Sequence, residues 1–77
     1  MKDRETMMTA DEFRRWRLSL KPLGRRRRVS QQEAARLLGV AKSTYALYES
    51  RGSRSRVVAL ACSAVKLGLP PYDNVYR

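Results

Sequence analysis

Residues 30–52 read SQQEAARLLGVAKSTYALYESRG, and the punctuation inside this stretch decides the fold. Ser30 followed by Glu33 is a capping box: the serine hydroxyl accepts the Glu33 backbone N–H, and the glutamate reaches back to the N–H of Ser30. Ala34, Leu37 and Leu38 stand at i, i+3 and i+4, an apolar stripe on a short helix. Gly39 ends that helix, because the residue just past a helix end takes positive φ and glycine does so without steric cost. Val40 is apolar and folds back onto the stripe. A second helical pattern starts at Lys42 and runs to Ser50, with Tyr45 and Tyr48 three apart on one face and Leu47 beside them. Gly52 ends it in the same way.

Two short helices joined by a tight turn containing glycine form the helix-turn-helix layout. The residue types go further. Ser30-Gln31, Ala34-Ala35, Leu38-Gly39-Val40, Ser43-Thr44 and Tyr48-Glu49 followed by Gly52 resemble the Xre/Cro-type, phage-repressor-like helix-turn-helix family. The resemblance extends from Thr9 to Leu69. It implies an all-α fold, a four-to-five-helix bundle of the lambda-repressor-like type. The domain then spans 9–69 with its motif at 30–52, between an N-terminal segment 1–8 and a tail 70–77.

The composition points the same way. Seventeen Lys plus Arg stand against 7 Asp plus Glu in 77 residues, a net charge of +10. Such a balance calls for a polyanionic partner, nucleic acid before anionic membrane. Arg outnumbers Lys, which favours recognition of phosphates and base edges over plain solubility. A chain of this length makes one domain with a modest core. Its single Cys excludes an internal disulfide and suits a reducing compartment, so a cytoplasmic location is expected. No apolar run approaches the ~20 residues needed to span a bilayer, and MKDRETMM lacks the apolar centre of a signal peptide.

Working outward from the motif, residues 1–8 are charged and aperiodic, and fraying is expected there. Thr9 with Glu12 is another capping box, with Asp11 and Glu12 at the positive end of the helix dipole. Phe13, Trp16 and Leu20 recur at i, i+3 and i+7 on a first helix of about residues 10–20, as core anchors. Arg14, Arg15 and Lys21 occupy its other face. Pro22 and Gly24 end the helix. The run Arg25-Arg26-Arg27-Arg28 follows, in a connection about seven residues longer than the family norm. Four adjacent like charges repel, so an exposed loop is expected that lies along phosphates or places an Arg in a narrow minor groove.

Ser50 to Ser55 reads as a loop. A last helix runs over about residues 56–67, with Val57, Leu60, Ala61, Ala64, Val65 and Leu67 as its apolar face and Cys62 as a small buried hydrophobe. Gly68 caps it and Pro70-Pro71 prevents its continuation.

For function, the sequence excludes more than it supplies. There is no His, hence no Cys–His or Ser–His pair for nucleophilic catalysis. There is no Cys/His cluster for zinc and no phosphate-cradling Gly-rich loop. No enzyme activity, metal, cofactor or small-molecule ligand is expected. Double-stranded DNA is the expected partner. In a helix-turn-helix the second helix enters the major groove with its N-terminal residues on base edges. The candidates for base contact are Lys42, Ser43, Thr44 and Leu47; lysine donates to G O6/N7 and leucine meets a thymine methyl. The candidates for phosphate contact are Arg25, Arg26, Arg27, Arg28, Arg51, Arg54 and Arg56.

Two further roles come from the resemblance. Gln31 matches a position that contacts phosphate and supports the reading helix. Arg17 matches a first-helix arginine that pairs with the glutamate ending that helix, here Glu49, as a partly buried ion pair. Ala41 departs from the pattern, which often has a polar cap there, so the reading helix is expected to be capped by Ser43 or to begin late.

The expected job is a sequence-specific transcriptional regulator, a repressor of phage or mobile-element kind. It is expected to act as a homodimer through Leu60, Val65, Leu69 and Tyr72. The alternatives are an antitoxin-like protein-interaction module and a non-specific nucleic-acid-binding protein driven by the Arg run.

Overall fold

The computed structural model describes residues 7–21 and 28–69. Among them stand four helices in chain order: α1 (Ala10–Ser19), α2 (Gln31–Leu38), α3 (Lys42–Arg51) and α4 (Arg56–Leu67). Together they form a small all-helical bundle.

Three of the four helices start on a hydroxyl cap. Thr9 and Glu12 close both halves of their box, with the Glu12 N–H donating to Thr9 Oγ1 at 3.2 Å and the Thr9 N–H to Glu12 Oε1 at 2.9 Å. Ser30 Oγ accepts the Glu33 N–H at 3.1 Å, and Ser55 Oγ accepts the Val58 N–H at 3.2 Å. Ala41 provides no such bond to α3. The expected Ser43 cap or late start is therefore corrected: α3 begins at Lys42 without a side-chain cap. The burial of Tyr45 one turn on holds the first turn in place of capping, since tertiary packing supplies most helix stability in proteins.

At the other end of α2, Gly39 sits at φ 79°. The Val40 N–H reaches the Ala35 carbonyl at 2.9 Å and the Gly39 N–H reaches that of Arg36 at 3.1 Å. This is a Schellman ending. It turns the chain sharply enough for α3 to start three residues later.

Helix α1 ends one residue earlier than its sequence pattern. Leu20 is extended (ψ 148°) and turns inward as the cap. The expected terminators Pro22 and Gly24, like Arg25, Arg26 and Arg27 of the basic run, lie outside the described residues.

The core gathers Phe13, Trp16, Leu20, Val29, Ala34, Ala35, Tyr45 and Cys62. Phe13 lies flat against Tyr48 (centroids 5.0 Å apart) and edge-on to Tyr45 at 6.3 Å. Full burial of a side chain such as Phe13 contributes about 1.5–3 kcal/mol. Val29 was not an obvious core residue, yet it is fully buried. It stands one place before the Ser30 cap, where a hydrophobic staple faces the N4 position, here Ala34.

Two expectations of burial need correction. Leu37 is 45% exposed rather than on the buried stripe of α2. The apolar face assigned to α4 is also rotated. Val58, Cys62 and Val65 pack inward, while Val57, Leu60 and Leu67 are 75%, 58% and 75% exposed. Helix α4 is apolar nearly all round, so periodicity does not choose its rotation. A buried bond from Trp16 Nε1 to the Cys62 carbonyl, 2.9 Å long, marks the side that faces in.

Of residues 1–8, where fraying is expected, 1–6 lie outside the described residues, and Met7 and Met8 are fastened to the loop after α3. Their N–H groups donate to the Ser53 carbonyl at 3.0 and 3.1 Å, and the Ser53 N–H donates to the Met8 carbonyl at 2.9 Å.

Candidate nucleic-acid interface

The candidate surface is the outward side of α3. Its underside is fastened first. Tyr45 is fully buried and Glu49 is 7% exposed, one turn apart on the same side of the helix. Arg17 of α1 meets Glu49 with Nε 2.6 Å from Oε2 and Nη2 3.3 Å from Oε1. Its Nη1 donates to the Val29 carbonyl at 2.8 Å. Gln31 Nε2, at the first position of α2, donates to Glu49 Oε1 at 2.9 Å. One carboxylate thereby ties the end of α3 to α1 and to the start of α2.

The electrostatics follow from that geometry. Burial pushes the Glu49 carboxyl up, but the hydrogen bonds from Arg17, Tyr45 and Gln31 outweigh it and hold the group below its ordinary range. The Arg17 guanidinium is raised by its bond to the same carboxylate, against a smaller effect of burial. Burial, then the neighbouring Glu49, raises the Tyr45 hydroxyl, so it stays protonated. That hydroxyl lies 3.4 Å from the Phe13 carbonyl, long for an O–H···O bond, and the charged Glu49 is the stronger acceptor.

The outward side is different in kind. Lys42, Ser43, Leu47, Ser50 and Arg51 are exposed there, with Thr44 and Ala46 half-buried at its edges. Ser43, Leu47 and Ser50 fall at i, i+4 and i+7, one line along the helix. Ser50 escaped the reading of the sequence, although the same 3.6-residue period places it on that line. Its hydroxyl donates to the Leu47 carbonyl at 3.1 Å, so it is turned back onto its own helix.

The remaining candidates divide into those near this face and those apart from it. Arg51 and Arg54, with Gly52 and Ser53, line an open depression of about 300 Å³ at the end of α3. Arg56, exposed, opens α4 just beyond. Lys42 stands at the opposite end, ~14 Å away along the axis at 1.5 Å per residue. Gln31 is half-buried with its amide nitrogen committed to Glu49, so it braces the helix from beneath. Arg28 is exposed; Arg25, Arg26 and Arg27 lie outside the described residues.

Other chemistries find little among the described residues. No group of three or more His, Cys, Asp or Glu there is placed to hold a metal ion. Cys62 is buried, and burial pushes its thiol up to about 11, which leaves it protonated and inert. No helix of the described residues is long and apolar enough to cross a membrane. Comparisons with protein-family models, curated proteins and solved structures find no match to this chain.

Proposed function

We propose that the chain is a sequence-specific double-stranded DNA-binding regulator of the lambda-repressor-like helix-turn-helix type. Helix α3 lies in the major groove, and occlusion of polymerase represses a promoter. The observation that carries this reading is the contrast between the two sides of α3. The underside is locked by Tyr45 and the Arg17–Glu49–Gln31 contacts, while Lys42, Ser43, Leu47 and Arg51 face solvent, uncovered by any of the described residues. A rigid helix with an open, cation-flanked face suits base reading, where side chains must be positioned before the duplex arrives. The net charge of +10 supplies the attraction to phosphate.

Selection from random duplexes tests this reading. A regulator enriches a definite sequence and binds it ~10³-fold or more above bulk DNA at ~0.15 M salt. A packaging protein shows a ratio near one, and a protein-interaction module shows little DNA binding at all. With a selected site in hand, Lys42→Ala costs ~1–3 kcal/mol and relaxes preference at one base pair. A uniform loss over all sequences moves Lys42 to the phosphate class.

A second copy of the chain completes the reading. Val57, Leu60, Ala61 and Ala64 make an uncharged stripe along α4, continued by exposed Leu67 and Leu69. On a chain so cationic, an uncharged apolar strip is where two copies approach with least repulsion. Of the residues first expected there, Leu60 and Leu69 are exposed, Val65 packs into the core, and Tyr72 lies outside the described residues. Leu60→Glu is expected to shift sedimentation from dimer to monomer without lowering the melting temperature. A wild-type monomer at micromolar concentration leaves the stripe to a different protein.

A further inference from the structure

The middle of the α3 face carries no long hydrogen-bonding side chain. Between Lys42 at one end and Arg51 at the other, its exposed residues are Ser43, Leu47 and Ser50, with Thr44 half-buried at the Lys42 end and Ala46 half-buried beside Leu47. The Ser50 hydroxyl, close to the Arg51 end, donates its one proton to the Leu47 carbonyl of its own helix. What the centre presents is therefore apolar: the half-exposed Leu47 side chain, with the Ala46 methyl beside it. Bidentate reading of guanine or adenine needs Arg, Lys, Asn or Gln, and the centre has none.

A leucine held half in water on a locked helix gains affinity only by meeting apolar surface. The major-groove edge of a base pair offers one such group, the C5-methyl of a pyrimidine, normally thymine. We infer that Leu47, flanked by Ala46, is a specificity determinant that reads a pyrimidine C5-methyl at the centre of each half-site. This inference rests on the DNA reading above and narrows its ligand class: duplexes whose half-site places a thymine opposite Leu47, with hydrogen-bonded reading confined to the Lys42–Thr44 end.

The contact has a single-group test. Once a duplex has been selected, each thymine is replaced in turn by deoxyuridine. That removes the methyl and leaves the base-pairing edge intact. One buried methyl corresponds to a loss of about four-fold in affinity. The expected result is such a loss at one or two positions per half-site. Leu47→Ala should weaken binding to the thymine duplex and remove the thymine–uracil difference at that position, while Lys42→Ala leaves the difference in place. Leu47 is 50% exposed, so the variant's melting temperature should stay near that of the wild type.

The inference is overturned if uracil is tolerated at every position, or if Leu47→Ala still distinguishes thymine from uracil as the wild type does. A pool from which no duplex is enriched overturns the DNA reading itself, and this inference with it. The two failures are thus distinct results.

Discussion

Glu49 is the residue on which the most elements converge. It accepts from Arg17 of α1 and from Gln31 of α2 while standing near the end of α3. Its side chain is 4% exposed and that of Arg17 is 13% exposed. Removing one partner of such a pair leaves the other charge buried and uncompensated. Arg17→Ala is expected to lower unfolding stability by about 3 kcal/mol, read as a lower urea midpoint at unchanged slope. The pair also sets an acid limit. Glu49 titrates near 4.3 in the unfolded chain and lower in the folded one. Its contribution is fully present above the unfolded value and disappears as pH falls through the folded one. Glu49→Gln is expected to lower stability at pH 7 and to flatten that acid decline in a pH series of melts.

Two glycines look alike in sequence and differ in the fold. Gly39 (φ 79°) has open space where a Cβ would stand, so Gly39→Ala costs only the left-handed strain, about 1–2 kcal/mol. Gly52 sits at φ 77°, ψ −172°, a region that is nearly glycine-only, and a Cβ there would lie 2.6 Å from the Met8 carbonyl oxygen. Gly52→Ala is expected to cost at least twice as much as Gly39→Ala in thermal melts. It should also detach Met7 and Met8 from Ser53, seen as faster amide exchange at those backbone groups.

At the scale of elements, α3 is the helix least able to stand alone. It lacks a side-chain cap and an acidic first turn. Its uncapped N–H groups, next to Lys42, are favourable to anions such as a backbone phosphate. Ala41→Asp is expected to raise stability by about 1 kcal/mol through capping. If α3 binds DNA as proposed, the same carboxylate would repel phosphate at its leading end, so duplex affinity should fall while the melting temperature rises. A variant that gains on both measurements would show that this end of α3 stays clear of the DNA. Helix α4 has the opposite character: apolar nearly all round, it was recognisable in sequence to the residue at both ends, but its rotation was not.

At the scale of the whole molecule, charge dominates. The chain carries +10, and of its cations Arg17 is withdrawn into the fold by Glu49 while Arg15 pairs with Asp11 at 2.7 Å on the exposed side of α1. Lys42, Arg51, Arg54 and Arg56 remain exposed around the candidate interface. If these four touch phosphates, the slope of log K against log[salt] includes about −3.6 from them, at roughly −0.9 for each contact. Removing Arg54 and Arg56 together is expected to make the slope shallower by nearly two units without altering base preference. Serine in place of Arg25 to Arg28 measures the basic run in the same titration.

The chain's residues by themselves determined where α1, α2 and α4 start and where α2, α3 and α4 stop; the uncapped start of α3 was left to packing. Caps and terminators act over three or four neighbours, so Thr9, Ser30, Ser55, Gly39 and Gly52 can be read without knowing what lies across the core. They also determined that Phe13 and Trp16 go inside, because with Leu20 these two rings form the one apolar stripe of α1. Tertiary structure alone decided the rest. It buried Val29, left Leu37 in water, turned Val57, Leu60 and Leu67 outward, and fastened Met8 to Ser53. Each of those outcomes depends on which surface a side chain or backbone group meets after the helices have packed. That partner comes from a distant part of the chain, where local pattern carries no information about it.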